Sequence, residues 1–118
     1  MTLTSDTPTM PRGTTDEDAY QVATTILNQI GTEALLAVSA RDAIATNDDG
    51  SPGVLCRFGK AHGNKRYLGV TLTPWDTYTV AAWEYGVRSR TTKLNETHED
   101  IYFDMLTDLV REINQRYF

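Results

Sequence analysis

The stretch RYLGVTLTPWDTYTVAAW, residues 66–83, decides the fold of this chain. Its two halves alternate apolar and polar residues, which is the two-residue period of a half-buried β-strand. Between them lie Thr73, Pro74, Trp75 and Asp76. Proline has the φ angle that the second position of a type I turn requires, and aspartate can hydrogen-bond to the backbone two residues on. The stretch therefore predicts a β-hairpin in which Asp76 is the pivot of the turn.

The alternation assigns the residues of this hairpin to two faces. Leu68, Val70, Leu72, Tyr78 and Val80 share an apolar face, which we expect to pack on helices. The opposite face would continue onto the preceding strand, and we expect it to show Leu55, Arg57, Tyr67, Thr71, Thr77, Thr79 and Trp83.

Other strands are predicted on both sides of the hairpin. Residues 42–59 favour two strands around a turn, because residues 47–53 are almost entirely turn formers. The short, continuously apolar run at residues 34–40 is typical of a buried strand. Residues 84–96 show no clear period, and we expect a loop there with at most a short edge strand.

A helix is predicted at each end of the chain. The first begins at a capping box of Thr14 and Glu17 and ends at Gly31. The second begins near Thr97, and its apolar stripe of Ile101, Met105, Leu109 and Ile113 has helical spacing. Before the first helix, residues 1–13 are rich in Thr, Ser, Pro and Gly without periodicity, which predicts a mobile tail.

These elements predict one α+β domain over residues 14–118. Consecutive strands with short links favour an antiparallel meander of four or five strands. The N-terminal and C-terminal helices can together cover one face of such a sheet. The predicted fold is therefore a two-layer α+β sandwich with both helices on the same side.

Composition restricts the class of protein. The chain has 118 residues, 40% of them hydrophobic, as in a globular domain. We find no apolar run of about 20 residues, as a membrane helix needs, and no signal-peptide pattern at the start. The single cysteine, Cys56, fits a reducing compartment. We therefore expect a cytoplasmic protein without membrane contact.

Charge is unevenly distributed along the chain. The net charge is −5, yet residues 53–93 hold seven basic and two acidic side chains. Both flanking parts are acidic. Such a molecule can present either sign of charge to a partner.

The motifs of common enzymes are missing from the sequence. It has no Walker loop, GxGxxG, GxSxG or HExxH, so we assign no catalytic residue, no metal ligand and no cofactor. Cys56 lies on a strand where it would face the helices, as a small buried hydrophobe does. If the protein were an enzyme, Asp76 beside Tyr78 would be its acid pair.

The segment RFGKAHGNKRY, residues 57–67, is the first candidate binding site. Basic residues around two glycines can approach a phosphate, and aromatic residues on an open sheet face can stack on bases. The acidic pI of about 4.8 opposes binding of nucleic acid. The candidate residues are Arg57, Lys60, Lys65, Arg66, Tyr67 and Trp83.

Two other surfaces are candidates for binding. Asp104, Asp108 and Glu112 lie on the predicted C-terminal helix, where carboxylates could imitate the charge of a nucleic-acid backbone. A solvated helix face is the alternative interpretation. The flat sheet face could pair with a second copy of the chain or with another protein.

Three parts of the sequence together resemble a family of small accessory proteins encoded by phages and prophages. They are ALLAVSARDAIATNDDG, RYLGVTLTPWDTYTV and IYFDMLTDLVREI, and the resemblance spans roughly residues 20–115. It includes an aspartate-threonine-tyrosine element, here Asp76, Thr77 and Tyr78, and a final helix starting near a tyrosine, here Tyr102. The resemblance implies a phage protein acting inside a bacterial cell. It supplies no catalytic residue.

The leading hypothesis is therefore a non-enzymatic protein that binds or inhibits a host protein, such as a component of a defence system. The alternative is binding of nucleic acid or a nucleotide through the basic segment 57–67 and the open sheet face. A homo-oligomer built through the sheet is compatible with the first hypothesis.

Overall fold

The structure is a computed structural model, and it describes residues 10–60 and 63–117. Within this part of the chain it has three α-helices, five strands and one 3-10 turn. The helices are α1 (Glu17–Ile30), α2 (Thr32–Ala37) and α3 (Leu106–Arg116), and the 3-10 turn is Phe103–Met105. The strands are β1 (Arg41–Asp48), β2 (Ser51–Phe58), β3 (Lys65–Leu72), β4 (Tyr78–Tyr85) and β5 (Thr92–Ile101).

The strands form one antiparallel sheet in the order β1-β2-β3-β4-β5, so each pairs with its neighbour in sequence. The helices pack on one face of this sheet. The core between the two layers contains Ile26 and Ile30 of α1, Leu106 and Ile113 of α3, and residues of the predicted apolar sheet face. In that face, Val70 and Val80 have no exposed surface. The predicted α+β meander with its helices on one side is confirmed.

The turn between β3 and β4 is the pivot of the hairpin, as predicted. Asp76 has φ +62, a left-handed conformation that Asp and Asn tolerate better than most residues. Its backbone N–H donates to Thr73 O at 3.2 Å, with Pro74 in the second position of the turn. The Thr73 hydroxyl accepts from the backbone N–H groups of Trp75 and Thr77. The side chain that organises this turn is therefore Thr73.

The predicted strand at residues 34–40 is wrong, because most of this run lies in α2. Gly31 has φ +93 and lets the chain turn from α1 directly into a second short helix. Ala34 is buried whereas Leu36 is 75% exposed. A short apolar run cannot be assigned to strand or helix by periodicity alone, and its Ala and Leu residues favour a helix.

The predictions for the C-terminal part are also corrected. Residues 92–101, expected to be mostly loop and then helix, form β5, and the helix begins only at Leu106. Register shifts between β4 and β5 disturb the alternation of β5, so its sequence lacks the two-residue period of a regular strand. Ile101, expected on the helix stripe, is the last residue of β5 and pairs with Tyr78.

The start of α1 differs from the predicted capping box. The N-cap is Asp16, whose Oδ1 accepts from Asp18 N at 3.3 Å. Thr14 instead donates its backbone N–H to Ala45 O in β1 at 3.0 Å. Gly13 forms an isolated antiparallel bridge with Thr46, so the last residues of the predicted tail lie along the outer edge of β1. Residues 1–9 of that tail lie outside the described residues.

Candidate binding site on the open sheet face

The sheet face opposite the helices, called the open face below, is organised as rows of paired residues. In the central row, Leu55 pairs with Gly69, Gly69 with Ala81, and Ala81 with Thr97. A second row contains Arg57, Tyr67, Trp83 and Leu94, and a third contains Gly53, Thr71 and Thr79. The small residues are concentrated in the central and third rows, which lowers the surface there relative to Trp83.

This lowered part of the open face is a groove of about 400 Å³. Such a volume lies within the range of sites that bind small organic ligands, about 300–1,000 Å³. Among the described residues lining the groove, Asp48 carries the one formal charge, and it is exposed. The lining residues are Pro11, Asp48, Gly69, Thr71, Thr79, Ala81, Trp83, Leu94 and Thr97. The groove therefore combines hydroxyl groups and apolar surface with a single negative charge at its rim.

Trp83 is the least satisfied polar residue of the groove. Its side chain is 5% exposed in total, and its Nε1 has no hydrogen-bond partner among the described residues. Nε1 lies 3.6 Å from the position that a Cβ on Gly69 would occupy, so the N–H edge of the indole lies over this glycine. A buried donor without an acceptor costs about 1–3 kcal/mol. Nε1 has almost no exposed surface, so this unmade bond is a cost within the sheet face and not a donor that is open to the groove.

The predicted basic site does not form one patch. Arg57, Tyr67 and Trp83 share a row of the open face, and Lys65 lies on the same face opposite Tyr85. The other two basic residues of the predicted set lie elsewhere.

Arg66 lies on the helix side of the sheet. Its guanidinium is 5.7 Å from the centre of the Tyr117 ring, and its Nε is 3.8 Å from Glu84 Oε1. Lys60 lines a separate cavity of about 140 Å³ between the end of α2 and Asn114 of α3. The structure thus separates the basic residues that are adjacent in sequence.

The predicted acidic site lies on the opposite side of the molecule from the open face. Asp104 is in the 3-10 turn and Asp108 and Glu112 are on α3, and all three are exposed. The buried side of α3 packs towards the sheet, so these carboxylates face away from it. Glu112 Oε1 lies 3.7 Å from Arg116 Nη1 one helical turn later. The two predicted binding surfaces are therefore separate, and a single small ligand cannot contact both.

Sequence reasoning missed a polar cluster centred on Glu96. Its carboxylate accepts from Arg116 Nε at 3.0 Å and from Tyr117 Oη at 2.6 Å, and it lies 2.7 Å from His98 Nε2. The bonds from Arg116, opposed in part by burial, lower the pKa of Glu96 to about 2. Burial and the Glu96 carboxylate raise the pKa of Tyr117 to about 12. Because Glu96 was placed in a loop by its sequence pattern, no signal connected it to the end of α3.

The contacts of Cys56, Tyr78 and Asp76 are explained by their places in the fold. Burial raises the pKa of the Cys56 thiol to about 11, so little thiolate exists near neutral pH. Tyr78 is buried and donates to Gln29 Oε1 at 2.7 Å, an interaction between β4 and α1. Asp76 lies in a turn whose backbone explains its residue type. Among the described residues, no group of three or more His, Cys, Asp or Glu could hold a metal ion.

In comparisons with known proteins, no family model, curated protein or solved structure matches this chain. Within residues 10–60 and 63–117, no helix is both long enough and apolar enough to cross a membrane. Among the described residues, the groove on the open face is the most specific surface feature.

Proposed function

We propose that this protein is a non-enzymatic binding protein that engages a partner protein through the open face of its sheet. The observation that carries the proposal is the groove on this face, which places threonine hydroxyls beside apolar surface. A concave site that combines apolar surface with a few polar groups is typical of binding sites. The helices cover the other side of the sheet, and on the open face Thr71, Thr79 and Thr97 keep part of their surface exposed. Leu55 and Trp83, which were expected to be exposed on this face, are only 6% and 5% exposed.

The composition of the groove favours a protein partner. Threonine hydroxyls at Thr71, Thr79 and Thr97 can each donate and accept a hydrogen bond, while Leu94 and Ala81 supply apolar contact. Protein interfaces combine such contacts and are depleted in charge at their centres.

The biological setting of the proposal comes from the family resemblance. A small phage accessory protein would meet its partner in the cytoplasm of a bacterial cell, and the partner would be a host protein, such as a component of a defence system. Binding through the open face would then inhibit or redirect that host protein. The alternative occupant of this face is a second copy of the chain, which would form a homo-oligomer through the sheet.

The decisive experiment compares variants on the two sides of the molecule. Ala81→Arg places a long charged side chain in the central row of the open face, where Ala81 is partly exposed. Gln115→Arg makes the same change of charge at an exposed position of α3. Both variants should unfold at about the wild-type temperature, which establishes that they remain folded.

Each tagged variant is incubated with nuclease-treated lysate of a candidate host, and the recovered protein is purified for a direct binding measurement. The proposal requires that Ala81→Arg weakens the interaction at least about tenfold, by steric block and a buried charge, while Gln115→Arg leaves it unchanged. A partner that binds Ala81→Arg as tightly as wild type contradicts the proposal. Loss of binding only after charge reversal of Asp104, Asp108 and Glu112 would move the interface to α3.

A second candidate function, binding of nucleic acid or a nucleotide, is supported by one row of the open face. Arg57 and Tyr67 are neighbours in that row and Lys65 lies on the same face, while Arg57 Nη1 lies 4.0 Å from Asp42 Oδ2. This function predicts an affinity that falls steeply with salt and is lost in a Lys65→Glu variant. An electrophoretic shift that Lys65→Glu leaves unchanged, or no shift at low salt, contradicts it.

A further inference from the structure

We propose that one end of the sheet is a second docking surface, and that its occupant is a basic segment of a partner polypeptide. This end is formed by the turn between β3 and β4 and by residues 99–105, which connect β5 to α3. The inference goes beyond the proposed function, because the groove on the open face is lined by other residues.

Exposed apolar side chains are concentrated at this end of the sheet. Among the described residues, eight large hydrophobic side chains are exposed, and four of them form what we call the end patch: Trp75, Tyr102, Phe103 and Met105. Trp75 is 82% exposed, Phe103 62% and Tyr102 57%. Single exposed hydrophobic residues are ordinary on a protein surface, whereas a group of them marks a site of interaction. The residue types of the end patch are also those enriched in protein interfaces.

The pairing of β4 with β5 brings the two parts of the end patch to the same end of the sheet. Tyr78, the first residue of β4, pairs with Ile101, the last residue of β5. Trp75 lies in the turn before Tyr78, and Tyr102 directly follows Ile101. Because Tyr78 and Ile101 are both buried, their packing fixes the positions of these exposed neighbours.

The charge around the end patch is negative. Residues 72–79 and 99–110 contain no lysine or arginine and five acidic side chains, namely Asp76, Glu99, Asp100, Asp104 and Asp108. All five are exposed, and none has an ion-pair partner among the described residues. A cationic partner is therefore attracted to this end of the sheet, and a phosphate backbone is repelled.

The aromatic rings of the end patch give a second reason for a basic partner. Arginine and lysine are attracted to the faces of tryptophan, tyrosine and phenylalanine rings, and their aliphatic stems pack on apolar surface. A segment that combines arginines with apolar residues therefore matches both the end patch and the carboxylates around it.

A second copy of the chain matches this surface less well. Four exposed cations, Lys65, Arg88, Arg90 and Lys93, lie at the opposite end of the sheet, where β3 and β5 begin. Contact between opposite ends of two copies is head-to-tail and does not form a closed two-fold dimer. The net charge of −5 on each copy also opposes association.

The experiment measures binding of a fluorescent peptide to the full chain by fluorescence anisotropy. The peptide consists of four arginines and two leucines and has blocked ends, and a second peptide has glutamate in place of each arginine. Trp75→Ala and Phe103→Ala each remove part of the end patch. Leu36→Ala is their control, because Leu36 is an exposed hydrophobic residue on α2. Thermal unfolding establishes that each variant remains folded.

The role of charge is tested at aspartates that share a backbone conformation. Asp76 and Asp100 beside the end patch have φ +62 and +57, and Asp42 and Asp49 at the other edge of the sheet have φ +54 and +52. Asparagine tolerates this left-handed conformation. The double variant Asp76→Asn with Asp100→Asn therefore has a matched control in Asp42→Asn with Asp49→Asn.

The expected result is that wild type binds the arginine peptide and does not bind the glutamate peptide. Trp75→Ala and Phe103→Ala should each weaken binding at least about fivefold. The double variant Asp76→Asn with Asp100→Asn should weaken binding about tenfold at low salt, and added salt should reduce this difference. Leu36→Ala and the control pair of asparagine substitutions should leave the affinity unchanged.

Three kinds of result would overturn the inference. The first is absence of binding by the arginine peptide, equal binding of the glutamate peptide, or equal losses in the variants and their controls. The second is peptide binding that requires removal of residues 1–9, since the occupant would then be a segment of this chain. The third is self-association of wild type, measured by sedimentation, that Trp75→Ala abolishes, since the occupant would then be a second copy.

The outcome is separable from the fate of the proposed function. Ala81→Arg blocks the groove on the open face and should affect peptide binding no more than Gln115→Arg does. If Ala81→Arg weakens peptide binding more than Gln115→Arg, the end patch is not a separate surface and the inference is wrong. If the purified partner binds Ala81→Arg as tightly as wild type, the proposed function fails, and the peptide measurements still decide the inference about the end patch.

Discussion

Tyr117 Oη donates a 2.6 Å hydrogen bond to Oε2 of Glu96, and this bond joins the C-terminal end of α3 to β5. The same carboxylate accepts from Arg116, so two consecutive residues at the end of the chain are held by one side chain of the sheet edge. Glu96 lies on the helix side of the sheet, opposite Ala82. The α3 helix is thus held on the sheet both by its buried apolar residues and by the hydrogen bonds at its C-terminal end.

Glu96→Gln is expected to destabilise the protein by about 1–3 kcal/mol, because it removes the charge on the acceptor of several hydrogen bonds. The measurement is urea unfolding at neutral pH. Glu112→Gln is the matched control, because Glu112 is exposed and lies 3.7 Å from the same Arg116. Its loss should cost no more than about 0.5 kcal/mol. Equal effects of the two substitutions would show that the Glu96 cluster contributes no more than a surface ion pair.

The stability of the protein should depend on the ionisation of Glu96 in acid. Its pKa is lowered from 4.5 to about 2 in the folded state, so the folded protein binds this proton less readily than the unfolded chain. The contribution of Glu96 is therefore fully present above its unfolded pKa and is lost as pH falls from about 4.5 to about 2.

The measurement is the difference in unfolding free energy between wild type and Glu96→Gln across this pH range. This difference in unfolding free energy should be constant above about pH 6 and should shrink as the pH is lowered. The pKa of Glu84 is also lowered, mainly by bonds from Asn64 and Asn95, but Glu84 is present in both proteins and cancels in the comparison. A difference that stays constant down to the pKa of about 2 would contradict the role assigned to Glu96.

The turn between β3 and β4 separates a structural role of Asp76 from a chemical one. Asp76→Asn should change stability by less than about 0.5 kcal/mol, because asparagine also tolerates the left-handed conformation. Asp76→Val should cost about 1–2 kcal/mol, because a β-branched residue at φ +62 is strained. Thermal unfolding of both variants tests this. A loss of partner binding in a fully folded Asp76→Asn variant would show that the carboxylate has a further role.

Two glycines of the open face should respond to alanine in opposite ways. A Cβ on Gly53 would lie 2.3 Å from Val70 O, a backbone atom that cannot move aside, so Gly53→Ala should destabilise the protein by about 1–3 kcal/mol. Gly69→Ala meets side-chain atoms at ordinary distances and should be neutral or stabilising by up to about 1 kcal/mol. Urea unfolding of the two variants measures the contrast. Similar losses in both would mean that Gly69 is needed for folding and not for an open groove.

The hairpin at residues 66–83 could be predicted from the sequence because its determinants are local. Alternation assigns each residue to a face, and the four residues 73–76 contain the turn, so no distant contact is needed. The same local logic predicted the strands at residues 42–59 and, from the apolar face of the hairpin, the side of the sheet that the helices cover. The α+β class followed from the order of these elements.

Residues 34–40 and 92–101 could not be assigned in this way because their structure depends on tertiary contacts. In α2, Ala34 is buried and Leu36 is exposed only because of how Gly31 turns the chain. In β5, the strand exists because it pairs with β4, and the shifts in register hide its alternation from any local pattern.

The candidate site shows the same division. Trp83 and Tyr67 could be placed on the open face from alternation alone, whereas neighbours in sequence such as Lys60, Lys65 and Arg66 were separated by the fold. The sequence by itself determined the sheet, its apolar face and the class of the fold, because these follow from local periodicity. Tertiary structure decided which side chains meet. Glu96 contacts Arg116 and Tyr117 because of how α3 packs on the sheet. The indole N–H of Trp83 lies over Gly69 because of the register between their strands.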